Sequence, residues 1–159
     1  MVHSTLQPIQ QPTKAQLSKA ICDTIAVRWE AQWRSDTACS ITHLFLPHVS
    51  NASILDVFPP SLEAAQLLSG HCKLRQFLFK IKKCISPVCL CGEDEETVLH
   101  FLFHCPRFAF FRLDFIDTFE KVSDLSWPPT PALAVSNKKL WLATLKFIKS
   151  SKRFINLSH

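Results

Sequence analysis

Apolar residues recur along this chain at helical rather than strand spacing. From Thr13 onward, Leu17, Ile21, Ile25, Trp29 and Trp33 fall four residues apart. That draws one stripe down a helix, with Trp29 and Trp33 one turn apart on it. Thr13 followed by Gln16 has the spacing of a capping box, which sets the helix start. The stripe reads as core packing, and stacking on nucleic-acid bases is the alternative for its tryptophans. Leu74, Phe77, Leu78 and Ile81 gather on one side of a short helix over 73–83, with Lys73, Lys80 and Lys83 opposite. Phe108, Phe111, Phe115 and Phe119 form the stripe of a helix that Pro106 opens and that runs to about Val122. Leu140, Trp141, Leu145, Phe147 and Ile148 do the same for a last helix from about Asn137 to Phe154.

Between these stretches the punctuation is local. Pro59 and Pro60 break the chain, Ser61 suits the N-cap of a helix over Leu62 to Leu68, and Gly70 suits the position just past its end. Cys39 to Leu46, β-branched and apolar and closed by Pro47, reads as a short strand or as extended chain. Ser126 to Pro131 holds Trp127 and three prolines and reads as a loop. Residues 1–12, polar and rich in Gln and Pro, form an irregular lead-in, and they and the last few residues are expected to be mobile. The pattern predicts a mainly α domain of about five helices with room for one short strand pair. It divides the chain into the lead-in over 1–12, a helical region over 13–83, a cysteine-rich segment over 84–106, and C-terminal helices with a basic tail over 107–159.

Composition supports a packed core, since 47% of the 159 residues are hydrophobic and 19% charged. With two glycines, Gly70 and Gly92, no Gly-rich phosphate cradle can form. No apolar run approaches a membrane span, and the N-terminus lacks a signal-peptide core, so an intracellular protein of nucleus or cytoplasm is expected, with no membrane partner. Seven cysteines in a reducing compartment point to free thiols or metal ligands.

The net charge of +5 is unevenly spread. No acid lies between Glu63 and Glu93, a span that holds Lys73, Arg75, Lys80, Lys82 and Lys83. None follows Asp124, where Lys138, Lys139, Lys146, Lys149, Lys152 and Arg153 stand. The acids Glu93, Asp94, Glu95 and Glu96 separate the two basic stretches. Two basic faces suit a polyanion, and two solvated helix faces are the plainer account.

The chemistry concentrates in one segment. Cys89, Cys91, His100 and Cys105 make the pattern C-x-C-x8-H-x4-C. Three thiolates and one imidazole satisfy tetrahedral zinc. Gly92 permits the sharp turn that two cysteines one residue apart require. A short helix over Glu95 to His104, with acids at its positive end, would return His100 and Cys105 to the same point. Cys84 and His104 compete as ligands, and the whole set could instead be buried small hydrophobes. A cysteine nucleophile with His100 or His104 as base is a further reading, weakened by the clustering. Asp114, Asp117 and Glu120 stand at helical spacing and could mimic a two-metal site, though a solvated helix face explains them as well.

Leu67-Leu-Ser-Gly-His71, Leu74-Arg75-x-Phe77-Leu78, Glu95-Glu96-Thr97-Val98-x-His100 and Cys105-Pro106-Arg107-Phe108 together resemble the C-terminal part of non-LTR (LINE-type) retrotransposon polyproteins. Trp29-Glu-x-x-Trp33 with Phe45-Leu-Pro47-His-Val49 resembles the linker that follows RNase H in that family, and the closing helix ends on a basic residue, Arg153, as the family's does. The resemblance runs from about residue 8 to 154. It implies a CCHC zinc knuckle on Cys89, Cys91, His100 and Cys105. The family carries an acid where His104 stands, which favours His100. It further implies binding of element RNA or target DNA during target-primed reverse transcription, and docking on a reverse transcriptase domain. The paired aspartates of the polymerase and the RNase H carboxylates have no matching motif here, so the chain resembles a non-catalytic tail with no small-molecule substrate.

Three functions follow as expectations. The first is a zinc-dependent nucleic-acid-binding module in which Lys73, Arg75, Lys80, Lys82, Lys83 and Arg107 meet phosphates with weak sequence specificity. The second is a protein–protein interaction domain with structural zinc. The third is a non-functional remnant of an element.

Overall fold

The computed structural model describes residues 11–37, 40–50 and 61–154. The expectations for the lead-in over 1–10, for Pro59 and Pro60, and for the last five residues fall outside that range. The elements are α1 Lys14–Ser35, α2 Ser40–Phe45, α3 Leu62–Ser69, α4 Arg75–Lys80, a π-helical turn over His100–His104, a 3-10 turn over Pro106–Phe108, α5 Ala109–Val122, α6 Pro131–Ala134 and α7 Lys138–Ser151. Among the described residues the extended pairing is one antiparallel bridge, Val88 with Glu95. The fold is a small, mainly helical domain.

The helix starts follow their capping residues. Thr13 accepts from the Gln16 amide while Gln16 Oε1 takes the Thr13 amide at 2.8 Å, so the capping box is complete. Ser61 Oγ accepts from Ala64 N, Asn137 Oδ1 from Leu140 N, and Thr130 Oγ1 from Leu133 N. Gly70 ends α3 at φ +72°, where a Cβ would stand 3.0 Å from Ile41 Cγ1; both the left-handed backbone and the close approach of α2 require glycine.

The core assembles around the π turn. Phe101, Leu102 and Phe103 are all buried, and the Phe101 ring lies 4.9 Å from Phe108, 5.0 Å from Phe147 and 5.3 Å from Phe154. Trp127 closes the other side, 5.2 Å from Phe115 and 5.9 Å from both Phe103 and Phe119. The most extensive helix–helix contact is between α5 and α7; α2 packs on α3 and α6. In α7 the stripe of Leu140, Trp141, Phe147 and Ile148 is buried as its spacing predicts, and Thr144, which joins them, donates to Ala134 O and Leu140 O.

Several sequence expectations need correction. The stretch before Pro47 is helical over Ser40–Phe45, not extended, because one turn of helix buries Phe45 and lets Thr42 Oγ1 reach Leu68 O at 2.9 Å. The helix over 73–83 shortens to α4, since Lys82 turns left-handed at φ 59°. In α5 the core face is Phe108, Arg112, Phe115 and Phe119, with Phe111 39% exposed. Pro131 leaves the loop to open α6, and the last helix stops at Ser151 with Lys152 left-handed.

The largest departure is α1. Leu17, Ile21, Ile25 and Trp29 are each more than half exposed, so the stripe is real but uncovered over most of its length. Among the described residues, those that fasten α1 lie at its C-terminal end. Trp33 Nε1 donates to Leu46 O at 2.9 Å, and its ring meets His43 at 4.7 Å. Glu30 accepts from His48 Nδ1 and Val49 N, both at 2.8 Å, and these bonds hold its carboxyl down at about 2.

The two tryptophans therefore differ in weight. Trp33→Ala is expected to lower unfolding stability by about 2 kcal/mol or more, through lost packing and an orphaned Leu46 carbonyl, and Trp29→Ala by about 0.5 kcal/mol or less. Urea denaturation of both variants checks this, and equal losses would contradict the attachment described.

Candidate metal centre

The segment that carries the cysteines is folded back on itself by its own backbone. Cys89 N donates to Asp94 O at 2.8 Å and Gly92 N to Cys89 O at 2.9 Å, with Gly92 at φ +85°. This turn swings Cys91 round beside Cys89. Glu96 N donates to Pro87 O at 2.9 Å and closes the hairpin-like loop behind them. The acids Glu93, Asp94 and Glu95 stay in that loop, ahead of the helical turn, which begins at Val98 with Thr97 Oγ1 accepting from His100 N. The expected helix over Glu95 to His104 is thus later in its start and π-wound in its body. The wide turn buries His100, Phe101, Leu102 and Phe103 together, which the geometry of an α-helical face would not do.

His100 and Cys105 come back to the two earlier cysteines. The ligand-type atoms of Cys89, Cys91, His100 and Cys105 all lie within 4.8 Å of one another. Cys89 Sγ is 3.6 Å from Cys105 Sγ, and Cys91 Sγ is 3.2 Å from His100 Nε2. Edges of a tetrahedron around zinc would be about 3.6–3.8 Å for these donors, given zinc–sulfur and zinc–nitrogen distances of about 2.3 and 2.1 Å. The donor set and its spacing fit a tetrahedral ion of that size, and the four residues could hold one. The competing donors do not join them: His104 is exposed, and Cys84 Sγ donates instead to Ser86 O and Arg75 O.

The thiols are unequal. Burial pushes the Cys89 thiol up to about 12 and raises Cys105 as well. At Cys91 burial opposes ionisation too, but the Glu93 amide and the thiols of Cys89 and Cys105 outweigh it, and the net direction is down. The surroundings thus favour protons on Cys89 and Cys105 and the thiolate on Cys91. A metal cation would displace those protons.

Two buried charges brace this site; sequence reasoning passed over Arg112 and placed Glu96 among the acids at a helix start, not in a buried ion pair. Arg112, 4% exposed, sends Nε to Leu102 O at 2.6 Å and Nη2 to Phe101 O and Cys105 O, both at 3.0 Å. It thus holds two carbonyls of the π turn and shares the Cys105 carbonyl with the Phe108 amide. Glu96, 1% exposed, takes Arg153 Nε and Nη2 at 2.8 and 2.6 Å and the Arg75 amide at 2.8 Å. Burial disfavours the Arg153 charge, but Glu96 outweighs it and the net shift is up. A signal for Arg112 did exist: it stands on the buried stripe, four residues after Phe108 and three before Phe115. Glu96 hid in a run of four acids.

The six basic residues expected to meet phosphates fall into two groups. Lys80, Lys82 and Lys83 are exposed at the end of α4 and the turn after it, and Arg107 is exposed two residues past Cys105. Lys73 and Arg75 are half-buried. Among the described residues none of the six pairs with a carboxylate. The knuckle-like loop holds α4 directly, through the Glu96 carboxylate on Arg75 N and through Gln76 Nε2 to Glu95 Oε2 at 3.2 Å. Asp114, by contrast, pairs with Lys146 and Asp117 with Lys121 on exposed faces, as ordinary helix-surface carboxylates do.

Comparison with known proteins gives one consistent result. The chain is 32% identical over 89 residues to a retrovirus-related Pol polyprotein from type-1 retrotransposable element R1 4 of Nasonia vitripennis, covering 55% of this chain and 23% of the relative. It is 28% identical over 94 residues to the corresponding R1 Pol polyprotein of Bradysia coprophila, with 59% and 9% covered. It is 32% identical over 82 residues to a putative 115 kDa protein in element R1DM of Drosophila melanogaster, with 51% and 8% covered. The chain thus resembles a region of R1 retrotransposon polyproteins and spans less than a quarter of the length of these relatives. No protein-family model matches it, and no solved structure gives a significant match.

Removing the Glu96 carboxylate should leave Arg153 and the first amide of α4 without their partner. Glu96→Ala is expected to cost about 3 kcal/mol, against about 0.5 kcal/mol or less for the exposed Glu95→Ala. Urea midpoints at fixed metal loading test the contrast; similar midpoints for the two variants would show that the buried pair does not hold the fold.

Proposed function

We propose that this chain is a zinc-dependent nucleic-acid-binding module, non-catalytic by itself, akin to the tail of a retrotransposon reverse transcriptase polyprotein. The observation that carries the reading is the gathering of Cys89, Cys91, His100 and Cys105 donor atoms within 4.8 Å, in a loop that also holds the basic helix α4. When bound, zinc would tie the turn at Cys89–Gly92 to the π turn and contribute to folding, as structural zinc sites do. Cys89, Cys91, His100 and Cys105 hold the ion. Lys73, Arg75, Lys80, Lys82, Lys83 and Arg107 then meet phosphates of RNA or DNA, chiefly through charge and with little reading of sequence. An intracellular site, in nucleus or cytoplasm, follows from the need to keep three thiols reduced. The domain division given above, with the knuckle over 84–106, is part of the same reading.

A second reading has its own support. The uncovered stripe of Leu17, Ile21, Ile25 and Trp29 on α1 suits a domain that packs on another protein, such as a reverse transcriptase domain, with zinc purely structural. Salt separates the two readings, because phosphate contacts release counterions and apolar docking does not.

Protein purified without added metal is expected to carry one equivalent of zinc, to lose helical signal on chelation, and to lose the zinc on Cys91→Ser. Zinc uptake at neutral pH should release protons, since Cys89 and Cys105 hold theirs in the free site, and affinity should fall as the pH falls. Full zinc occupancy in Cys91→Ser would refute the ligand assignment. Binding to an RNA or DNA oligonucleotide should weaken steeply with salt, and the double change Lys82→Gln, Lys83→Gln should reduce that slope by about two contacts' worth. A slope untouched by the pair, or binding indifferent to salt, would turn the argument toward the interaction domain.

A further inference from the structure

Beside the metal centre, but separate from it, the end of α3, the start of α2 and one face of α4 enclose a hollow of about 340 Å³. The motif Ser69-Gly70-His71 forms one wall, and Gln76, Phe77 and Lys80 of α4 form the other. Its volume lies at the small end of the range for ligand pockets. Among the described residues that line it none is a carboxylate, and Lys80 brings a cation to it.

Each residue of the first wall except His71 has structural work. Ser69 Oγ donates to Ala65 O at 2.7 Å and accepts from His71 N at 3.2 Å, and Gly70 supplies the left-handed turn against Ile41. The His71 side chain is exposed, and its ring lies 5.0 Å from the Phe77 ring at 44°. Phe77 is half-buried and so is a fixed backing for that ring. Gln76 gives one N–H to Glu95 Oε2, which leaves its carbonyl and second N–H for a further partner. Lys80 stands one turn of helix beyond Gln76, and Lys82 and Lys83 are exposed in the turn that follows α4.

We propose that this hollow takes one unpaired nucleotide of a single-stranded nucleic acid, with its base against the His71–Phe77 ring pair and its phosphate toward Lys80. A pair of rings backing an open, mostly polar cavity is the arrangement on which a base stacks, since every base offers a π face. The amide of Gln76 can meet a base edge, and the basic turn after α4 follows the backbone onward. A duplex does not fit, because its bases are not free to enter a space of this size. An acidic peptide would meet Lys80 but would gain nothing from the ring pair. The proposal deepens the nucleic-acid reading and rests on it.

The test uses the full zinc-loaded chain and fluorescence anisotropy with a single-stranded oligonucleotide of about ten nucleotides and with its blunt duplex. His71→Ala, which keeps zinc content and helical signal, is expected to weaken single-strand binding about tenfold, to leave the salt slope and duplex binding unchanged, and to be rescued by His71→Tyr. Lys80→Gln should weaken both ligands and lower the salt slope by about one. As a measurement free of substitutions, a 5-bromouracil-substituted strand should photocrosslink to the peptide that holds His71 or Phe77. Single-strand affinity unchanged in His71→Ala, or crosslinks confined to other peptides, overturns the hollow as a nucleotide site while leaving salt-dependent binding intact. Parent protein that binds neither ligand overturns both readings together.

Discussion

One carboxylate, that of Glu96, holds three parts of this molecule in register. It belongs to the loop that carries Cys89 and Cys91, it accepts the first amide of α4, and it grips Arg153 just past the end of α7. A carboxylate that is 1% exposed is tolerable only when its oxygens are fully engaged. That requirement is mutual: α4, the loop and the chain end can each take only the position in which the others supply a partner. The basic turn after α4 is therefore presented at a fixed place beside the cysteine cluster, and Phe154, next to Arg153, is delivered onto the Phe101 ring.

Arg112 repeats the device on the other side. The π turn buries three successive apolar residues, and the carbonyls of two of them, Phe101 and Leu102, face the Arg112 side chain. A guanidinium, with several donors in one plane, serves these two and the Cys105 carbonyl at once. The two charges explain how so small a core tolerates an irregular segment, carrying His100 and Cys105, through its middle rather than at its edge.

Local signals in the sequence were legible and long-range ones were not. Thr13, Ser61, Asn137 and Gly70 mark helix ends because capping is decided within a few residues. The clustering of Cys89, Cys91, His100 and Cys105 was readable for the same reason, as they sit within seventeen residues. Glu96 with Arg153 spans 57 residues, and nothing near either one announces the other. Periodicity told which side of α1 is apolar but not whether anything covers it. It also failed for residues 98–104, because a π turn has no face for a 3.6-residue repeat to mark. The strand expected before Pro47 failed because β propensity there is weaker than the gain from burying Phe45.

The turn at Gly92 has a further consequence, for chain length. A Cβ at Gly92 would meet nothing within 4 Å, and Gly92, Glu93 and Asp94 are exposed between two anchored ends, Cys89 N on Asp94 O and the Val88–Glu95 bridge. The span from His100 to Cys105 is the opposite: every residue but His104 is buried, and Arg112 holds its carbonyls. The four donors are thus joined by one elastic spacer and one rigid one. Extra residues between Cys91 and Glu95 would bulge into water, whereas a single residue added or lost between His100 and Cys105 would rotate an aromatic core out of phase with those two side chains.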